Sequence, residues 1–512
     1  MKKTTVNLSA KAILGLVILG IALVWFIYLP VSYDFDGTVF AQYLRHALVK
    51  NDLAATAQPQ HPLYIPVNYL IYKGLNFIAG YNVLEYFHLQ VFSLCFGLLT
   101  LLVSYKIIKE LTEDKFYHFA GMVFIAFTYG IWYYSVEAEV HMAGLFFVAA
   151  GVYLLFFKRG DENLHRTLCA AFCFAMAAGF HLTNGLIAVS VLLIFIIEKK
   201  RFKTMVRFFS FYGLFLAVML AVFVLICKVN LFAFFKNQFF VGDALAGYKI
   251  SYWTSLSFSS LWGSITAAAA GLLIPKTSAL SILSALLFFG ALTLVIYSGV
   301  KLKNKKNGYY YLMLCWLLPY FIFFTFWDYR NTEFKLNVVL PFAILFIVSM
   351  AAFRNKIMKV VFALLTIAVF IANIYFFILP ANDSGNNPAY GVAAAIGKVT
   401  PSDSIIVIGG CGSTLSIHNK IYISYFAHRR TFILDWMLGK GLSFAEIGSR
   451  LQQERQKGTP IFFFSDVTGD GETVRQIMKN HNLETGDYFN FLKMFVFKER
   501  IPLNGGYYLE RL

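Results

Sequence analysis

From Ile13 to about Pro380 the chain alternates between apolar stretches and short polar connections. About 20 apolar residues in a helix cross the hydrocarbon core of a bilayer, and each stretch is near that length. Eleven such spans are expected, beginning near Ile13, Leu84, Phe116, His141, Leu168, Gly185, Phe208, Ser278, Tyr309, Leu336 and Val360. Two connections are long. The first, residues 31–82, contains amphipathic pieces over Val39–Val49 and Tyr64–Phe77, whose apolar, aromatic and basic residues suit helices lying along the interface. The second, residues 228–277, is aromatic, carries Trp253 and Trp262, and reads as a lid-like loop or an interfacial hairpin.

After Pro380 the pattern changes. Asn382-Asp383-Ser384-Gly385-Asn386-Asn387-Pro388 is a linker of turn formers. Beyond it, strands are expected over Ser404–Ile408, Ile461–Phe464 and Leu492–Lys498, with helices over Phe444–Gln456 and Glu472–Asn480. That alternation describes a small α/β domain. The expected fold is therefore a mostly α, polytopic bundle over residues 1–380, followed by an α/β domain over residues 381–512.

Composition agrees. The chain is 59% hydrophobic and only 14% charged, where soluble domains carry about a quarter. Its net charge of +17 falls in short clusters between spans: Lys106, Lys109 and Lys115; Lys158, Arg159 and Arg166; Lys199 to Arg207; Lys301 to Lys306; Arg354 to Lys359. That is the positive-inside bias, which excludes a nucleic-acid reading and implies contact with membrane lipids. It places the N-terminus in the cytoplasm and, after eleven spans, the C-terminal domain outside the plasma membrane. The first span is followed by many like it and lacks a small-residue cleavage site, so it is expected to be an anchor, not a cleaved signal. Six cysteines form no disulfide framework.

Candidate chemistry lies in the turns on the outer side: Asp34 and Asp36; Glu137 and Glu139; His181; and the run Trp327 to Lys335, which holds Asp328, Arg330 and Glu333. Each has an ordinary alternative. The aspartates can cap the following helix, His181 can pack at a helix end, and the late turn can be a salt-bridged surface loop. Carboxylates, a histidine and a few cations on one face of an apolar bundle nevertheless suit acid–base work on an anionic, lipid-borne group. Gly409-Gly410-Cys411-Gly412-Ser413 follows a strand but lacks a P-loop lysine, and reads as a turn.

Four segments resemble the GT-C superfamily of membrane glycosyltransferases, and within it bacterial proteins related to protein O-mannosyltransferases. They are Asp36-Gly37-Thr38-Val39-Phe40, His61-Pro62-Leu63-Tyr64, the stretch from Trp132 to His141 containing Ala138-Glu139-Val140, and Gly179-Phe180-His181-Leu182-Thr183-Asn184. The chain departs from the pattern at Val39, at His141 and after Pro62. The resemblance implies inverting transfer of a sugar from a polyprenyl-phosphate donor, with Asp36 as general base, Asp34 as its alternate and Glu139 orienting the reactants. It implies a donor phosphate met by Arg330, Lys335, Arg45 and His181, and substrate contacts from His61, Glu137, His141 and Glu333. A divalent metal on Asp34 and Asp36 is compatible with it, and the acceptor is a protein, lipid or glycan. The competing classes are a transporter or flippase for lipid-linked glycans, a non-catalytic scaffold, and a polymerase or ligase of another membrane fold. No internal repeat supports a transporter built from inverted repeats.

Overall fold

The computed structural model describes residues 9–54, 58, 60–157, 164–198, 202–228, 230, 253–273, 280–301, 307–469 and 471–512. Most of the expected lid-like loop lies outside the described residues. The described residues fall into two compact units. One takes in the chain up to Pro30, resumes at Tyr43 and ends at Pro380; the other comprises Val31–Gln42 and Ala381–Leu512.

The first unit is a bundle of apolar helices, and the chain is a multi-pass membrane protein. A helix stands at each of the eleven expected spans. Among the described residues, five helices are long and apolar enough to cross a membrane: Ala10–Ile27 (α1), Glu85–Leu111, Phe202–Cys227, Glu333–Ala352 and Lys356–Ala381. A sixth is a pair, Lys115–Phe127 and Tyr129–Val136, bent by 64°. Thr128 causes the break: its backbone is extended, and its hydroxyl donates to Ile125 O at 2.8 Å. His141–Phe157, Leu164–Phe180, Leu182–Ile197, Ser284–Gly299 and Tyr310–Phe326 are shorter apolar helices. Along α1, Leu16, Leu19, Leu23 and Phe26 are exposed at helical spacing, a stripe that lipid covers. Inside, large aromatic side chains including Trp25, Trp132 and Trp316 are fully buried. Within the long first connection, helices α2 (Phe35–Lys50) and α3 (Tyr64–Ala79) form; α3 turns Leu70, Phe77 and Ile78 outward.

The second unit has a five-stranded sheet of order β2-β1-β3-β5-β4, made of β1 (Ile405–Ile408), β2 (Arg430–Ile433), β3 (Ile461–Phe464), β4 (Glu499–Pro502) and β5 (Tyr508–Arg511). β1 pairs in parallel with β2 and β3, and β5 pairs antiparallel with β3 and β4. β1 and β3 are buried throughout, as central strands covered on both faces must be. The strand expected over Leu492–Lys498 is not one. Its start closes the helix Thr485–Lys493, and Phe495 reaches the core from a coil. Apolar density there marks packing, whereas the true strands β4 and β5 lie at the sheet's antiparallel side and carry charges. The glycine turn after β1 is closed: a Cβ on Gly409 would lie 2.2 Å from Thr473 Cγ2, and one on Gly412, with φ +87°, would lie 2.8 Å from Thr473 Cα.

Candidate active site

In the membrane unit, two backbone contacts bring distant segments together: Leu63 N donates to Gly179 O at 3.0 Å, and Leu182 N donates to Gln60 O at 3.0 Å. They seat His61 against His181, with ring centroids 4.6 Å apart and the rings edge to face. His141, the first residue of α4 (His141–Val152), also packs on His181, with centroids 5.1 Å apart. Three histidines thus form a row. Phe334 packs against both His141 and His181.

The hydrogen bonds assign the tautomers. Only a donor can meet a carbonyl, so His61 donates through Nδ1 to Phe180 O at 3.3 Å. Conversely, His181 Nδ1 accepts from the Thr183 backbone N–H at 3.3 Å and from its hydroxyl at 2.7 Å, which leaves the ring proton on Nε2. Burial lowers the His61 pKa to about 4 against the pull of the Phe180 carbonyl. Burial, helped by His61 and His141, also holds His181 well below the ordinary histidine value. Both are neutral at pH 7.

Glutamates border the row. His141 Nε2 is 3.9 Å from Glu139 Oε2 and 3.8 Å from Glu333 Oε2. Glu139 is buried in the turn after Tyr129–Val136; its carbonyl accepts from Ser93 Oγ at 2.9 Å. Glu137, two residues earlier and fully buried, accepts from the Tyr86 hydroxyl and from Ala138 N at 3.0 Å. Burial and the Glu139 and Glu137 carboxylates push the Tyr64 hydroxyl well up. Glu333 is held within its own turn, with Asn331 Nδ2 donating to Oε1 at 2.6 Å. Asn184 and Asn337 tie these turns from beneath: Asn337 Nδ2 donates to Asn184 Oδ1 at 2.8 Å, and Trp316 Nε1 donates to Asn337 Oδ1 at 3.4 Å.

The expected cations are placed differently. Arg45 forms a two-pronged ion pair with Glu85, at 2.8 and 3.1 Å. Lys335 is fully buried; its Nζ donates to Phe324 O at 2.9 Å and lies over the Phe324 ring. Arg330 is exposed and stacks on Tyr329, next to Asp328 with its left-handed φ of 41°.

Asp34 and Asp36 lie in the second unit. Asp34 precedes α2 and accepts from Asp36 N at 3.0 Å, the bond of a helix cap. Asp36 is exposed in the first turn. Hard carboxylate oxygens of this kind suit Mg²⁺ or Ca²⁺. Beside them stands a histidine that sequence reasoning missed. His418 stacks on Phe35 with centroids 4.9 Å apart; burial lowers its pKa, and Asp34 opposes that shift. Tyr86, Tyr64, Asn331 and Asn337 were missed too, although Tyr64 closes the marked segment His61–Tyr64 and Asn331 lies inside the marked late turn.

Residues 54–205 match the model of the protein O-mannosyl-transferase TMEM260 N-terminal domain. The match is less than a third of the chain and includes His61, Glu137, Glu139, His141 and His181. No curated protein matches the chain in sequence. Among solved structures, ArnT from Cupriavidus metallidurans bound to undecaprenyl phosphate has a TM-score of 0.65 at 11% identity, over 98% of both chains. The archaeal oligosaccharyltransferase AglB from Archaeoglobus fulgidus, in complex with an inhibitory peptide and a dolichol-phosphate, has a TM-score of 0.52 at 12% identity. That alignment covers 98% of this chain and 74% of AglB. The chain thus shares the fold of ArnT and AglB over nearly its whole length.

Proposed function

We propose that this chain is an inverting glycosyltransferase, moving a sugar from a polyprenyl-phosphate donor to an acceptor hydroxyl on the extracytoplasmic face of the plasma membrane. The observation that carries the reading is the row of neutral histidines bordered by Glu139 and Glu333, built on turns of a GT-C fold. Whole-length likeness to a structure bound to undecaprenyl phosphate supports the donor class.

Asp36 takes the proton from the acceptor hydroxyl. The acceptor oxygen forms its bond to the anomeric carbon on the face opposite the phosphate. The carbon–oxygen bond to phosphate breaks, its electron pair leaves with the polyprenyl phosphate, and the sugar is inverted. Asp34 is the weaker base because the helix cap occupies one of its oxygens. Glu139 and Glu333 act on sugar hydroxyls, with His61, His141 and Glu137 shaping the same contacts. The leaving phosphate needs positive or hydrogen-bonding partners. Arg330, Lys335 and the Nε2–H of His181 serve it in that order, and Arg45 is the least suited because Glu85 already neutralises it. A divalent ion on Asp34 and Asp36 would add charge compensation.

The test is transfer in proteoliposomes from a panel of radiolabelled polyprenyl-phosphate sugars, with wild type beside Asp36→Asn. Removing a general base costs about 10²–10⁴-fold in rate. Equal rates in the two proteins would remove Asp36 from the mechanism.

A further inference from the structure

The first-loop segment that carries both aspartates is built into the C-terminal unit by six hydrogen bonds to four of its residues. Val31 N and Ser32 N donate to Ala381 O at 3.1 and 2.9 Å. The Asn387 side chain donates to the carbonyls of Ser32 and Tyr33, the latter at 3.0 Å, and the Tyr422 hydroxyl donates to the same Tyr33 carbonyl. Gln42 Nε2 donates to Ser424 Oγ at 3.0 Å. The rings continue the pattern. Phe35 stacks on His418, His418 stacks on Tyr422 at 5.6 Å, and Tyr33 packs on Tyr390 and Phe426 at 4.9 and 4.8 Å.

Tyr33 itself is strained, with φ of +50°. A bulky residue leaves the ordinary regions of backbone space only where its surroundings over-determine it. Here they do: its carbonyl is held by Asn387 and Tyr422, and its ring by Tyr390 and Phe426. Asp34 follows directly and starts α2. The direction in which the two carboxylates leave the chain is therefore set by residues some 350–390 positions away.

We infer that His418, Tyr422 and Asn387 are positioning residues for the Asp34–Asp36 pair, and that the C-terminal domain builds the site of the base. The inference rests on the reading of these aspartates as the chemical pair. It assigns the domain a task other than acceptor selection: its residues act on the turnover step, not on capture of either substrate.

The test uses full-length protein with His418→Ala, His418→Phe and Tyr422→Phe. His418→Ala removes the stack between Phe35 and Tyr422, His418→Phe restores it without the imidazole, and Tyr422→Phe removes one oxygen. His418→Ala and Tyr422→Phe should each lower kcat by about tenfold with donor and acceptor KM unchanged, since small misplacements of a reacting group have effects of that order. His418→Phe should recover most of the loss. A rise confined to acceptor KM, or unchanged kcat in both variants, overturns the inference. Amide exchange over residues 33–38 provides a readout independent of transfer. Tyr422→Phe should speed it there while the strands of the sheet stay protected, and unchanged exchange overturns the inference even where no donor is turned over. Loss of transfer in Asp36→Asn with normal exchange, by contrast, bears on the base alone.

Discussion

Gly144→Ala is the perturbation whose consequence can be worked most directly from the structure. A Cβ at position 144 would lie 2.2 Å from Asn184 Nδ2. Ordinary contact begins near 3.4 Å, so the amide must retreat by more than an ångström. It has nowhere to go without cost. Nδ2 donates to Ala177 O at 3.1 Å, Oδ1 accepts from Asn337 Nδ2 at 2.8 Å, and the Asn184 carbonyl accepts from Tyr320 Oη at 3.0 Å. Asn184 and Asn337 are both buried, so the displaced amide leaves polar partners without water. Each such group costs about 1–3 kcal/mol, and two of them put the loss at about 2–6 kcal/mol. The assay is equilibrium unfolding in mixed micelles, with a double-mutant cycle through Asn184→Ala. Removing the amide relieves the clash, so the double mutant should be less destabilised than the sum of the singles by at least about 1 kcal/mol. Transfer should fall with stability, because Asn184 N is bonded to His181 O at 2.9 Å and the turn carries the histidine with it. Additive single effects, or a Gly144→Ala protein as stable as wild type, would refute the reasoning.

Two further outcomes follow from the same cluster. The folded pKa of His61, about 4, and that of His181 lie below the unfolded value of about 6.5, so the unfolded chain binds protons first as pH falls. Stability from keeping these rings neutral is complete above about pH 6.5 and is lost toward pH 4, by less than about 1.4 kcal/mol per pH unit per ring because His61 keeps some solvent access; unfolding titrations of wild type and His61→Gln check this, and a flat wild-type profile would contradict it. Tyr86→Phe takes the hydroxyl from the fully buried Glu137 and should cost about 1.5–3 kcal/mol, the worth of a bond to a charged group; an unfolding free energy within about 0.5 kcal/mol of wild type would mean that Glu137 is held by other groups.

What was legible in the sequence was whatever a local period or a short motif encodes. Runs of apolar residues gave all eleven helical positions, because a span needs length and apolarity and little else. The buried strands β1 and β3 stood out for the same reason. His61, Glu139, His141 and His181 lie in segments that the sequence marked, and the fold brings His61, His141 and His181 into one row beside Glu139. What stayed hidden was pairing across long separations. Glu85 reaches Arg45 from 40 positions away and removes the cation from the pool open to a phosphate. His418 meets Phe35 through a stack that no spacing announces. β2 was missed because its exposed and half-buried residues lack the apolar run that marked β1.

His61 and His181 differ in a way that composition could not reveal. His181 presents an Nε2–H because Thr183 claims its Nδ1 twice over, and His61 presents Nε2 as an acceptor because its Nδ1 proton is committed to Phe180 O. A phosphate oxygen only accepts, so within this pair His181 alone can serve the donor's phosphate. A sugar hydroxyl can donate, so His61 suits the sugar. The row therefore has a chemical direction, set by two backbone contacts and one threonine. Neutrality strengthens that direction: if protonated, both rings would offer only donors and the distinction would be lost. Charge compensation for the leaving group must then come from elsewhere, which is why the reading depends on Arg330 and Lys335 and not on the histidines alone.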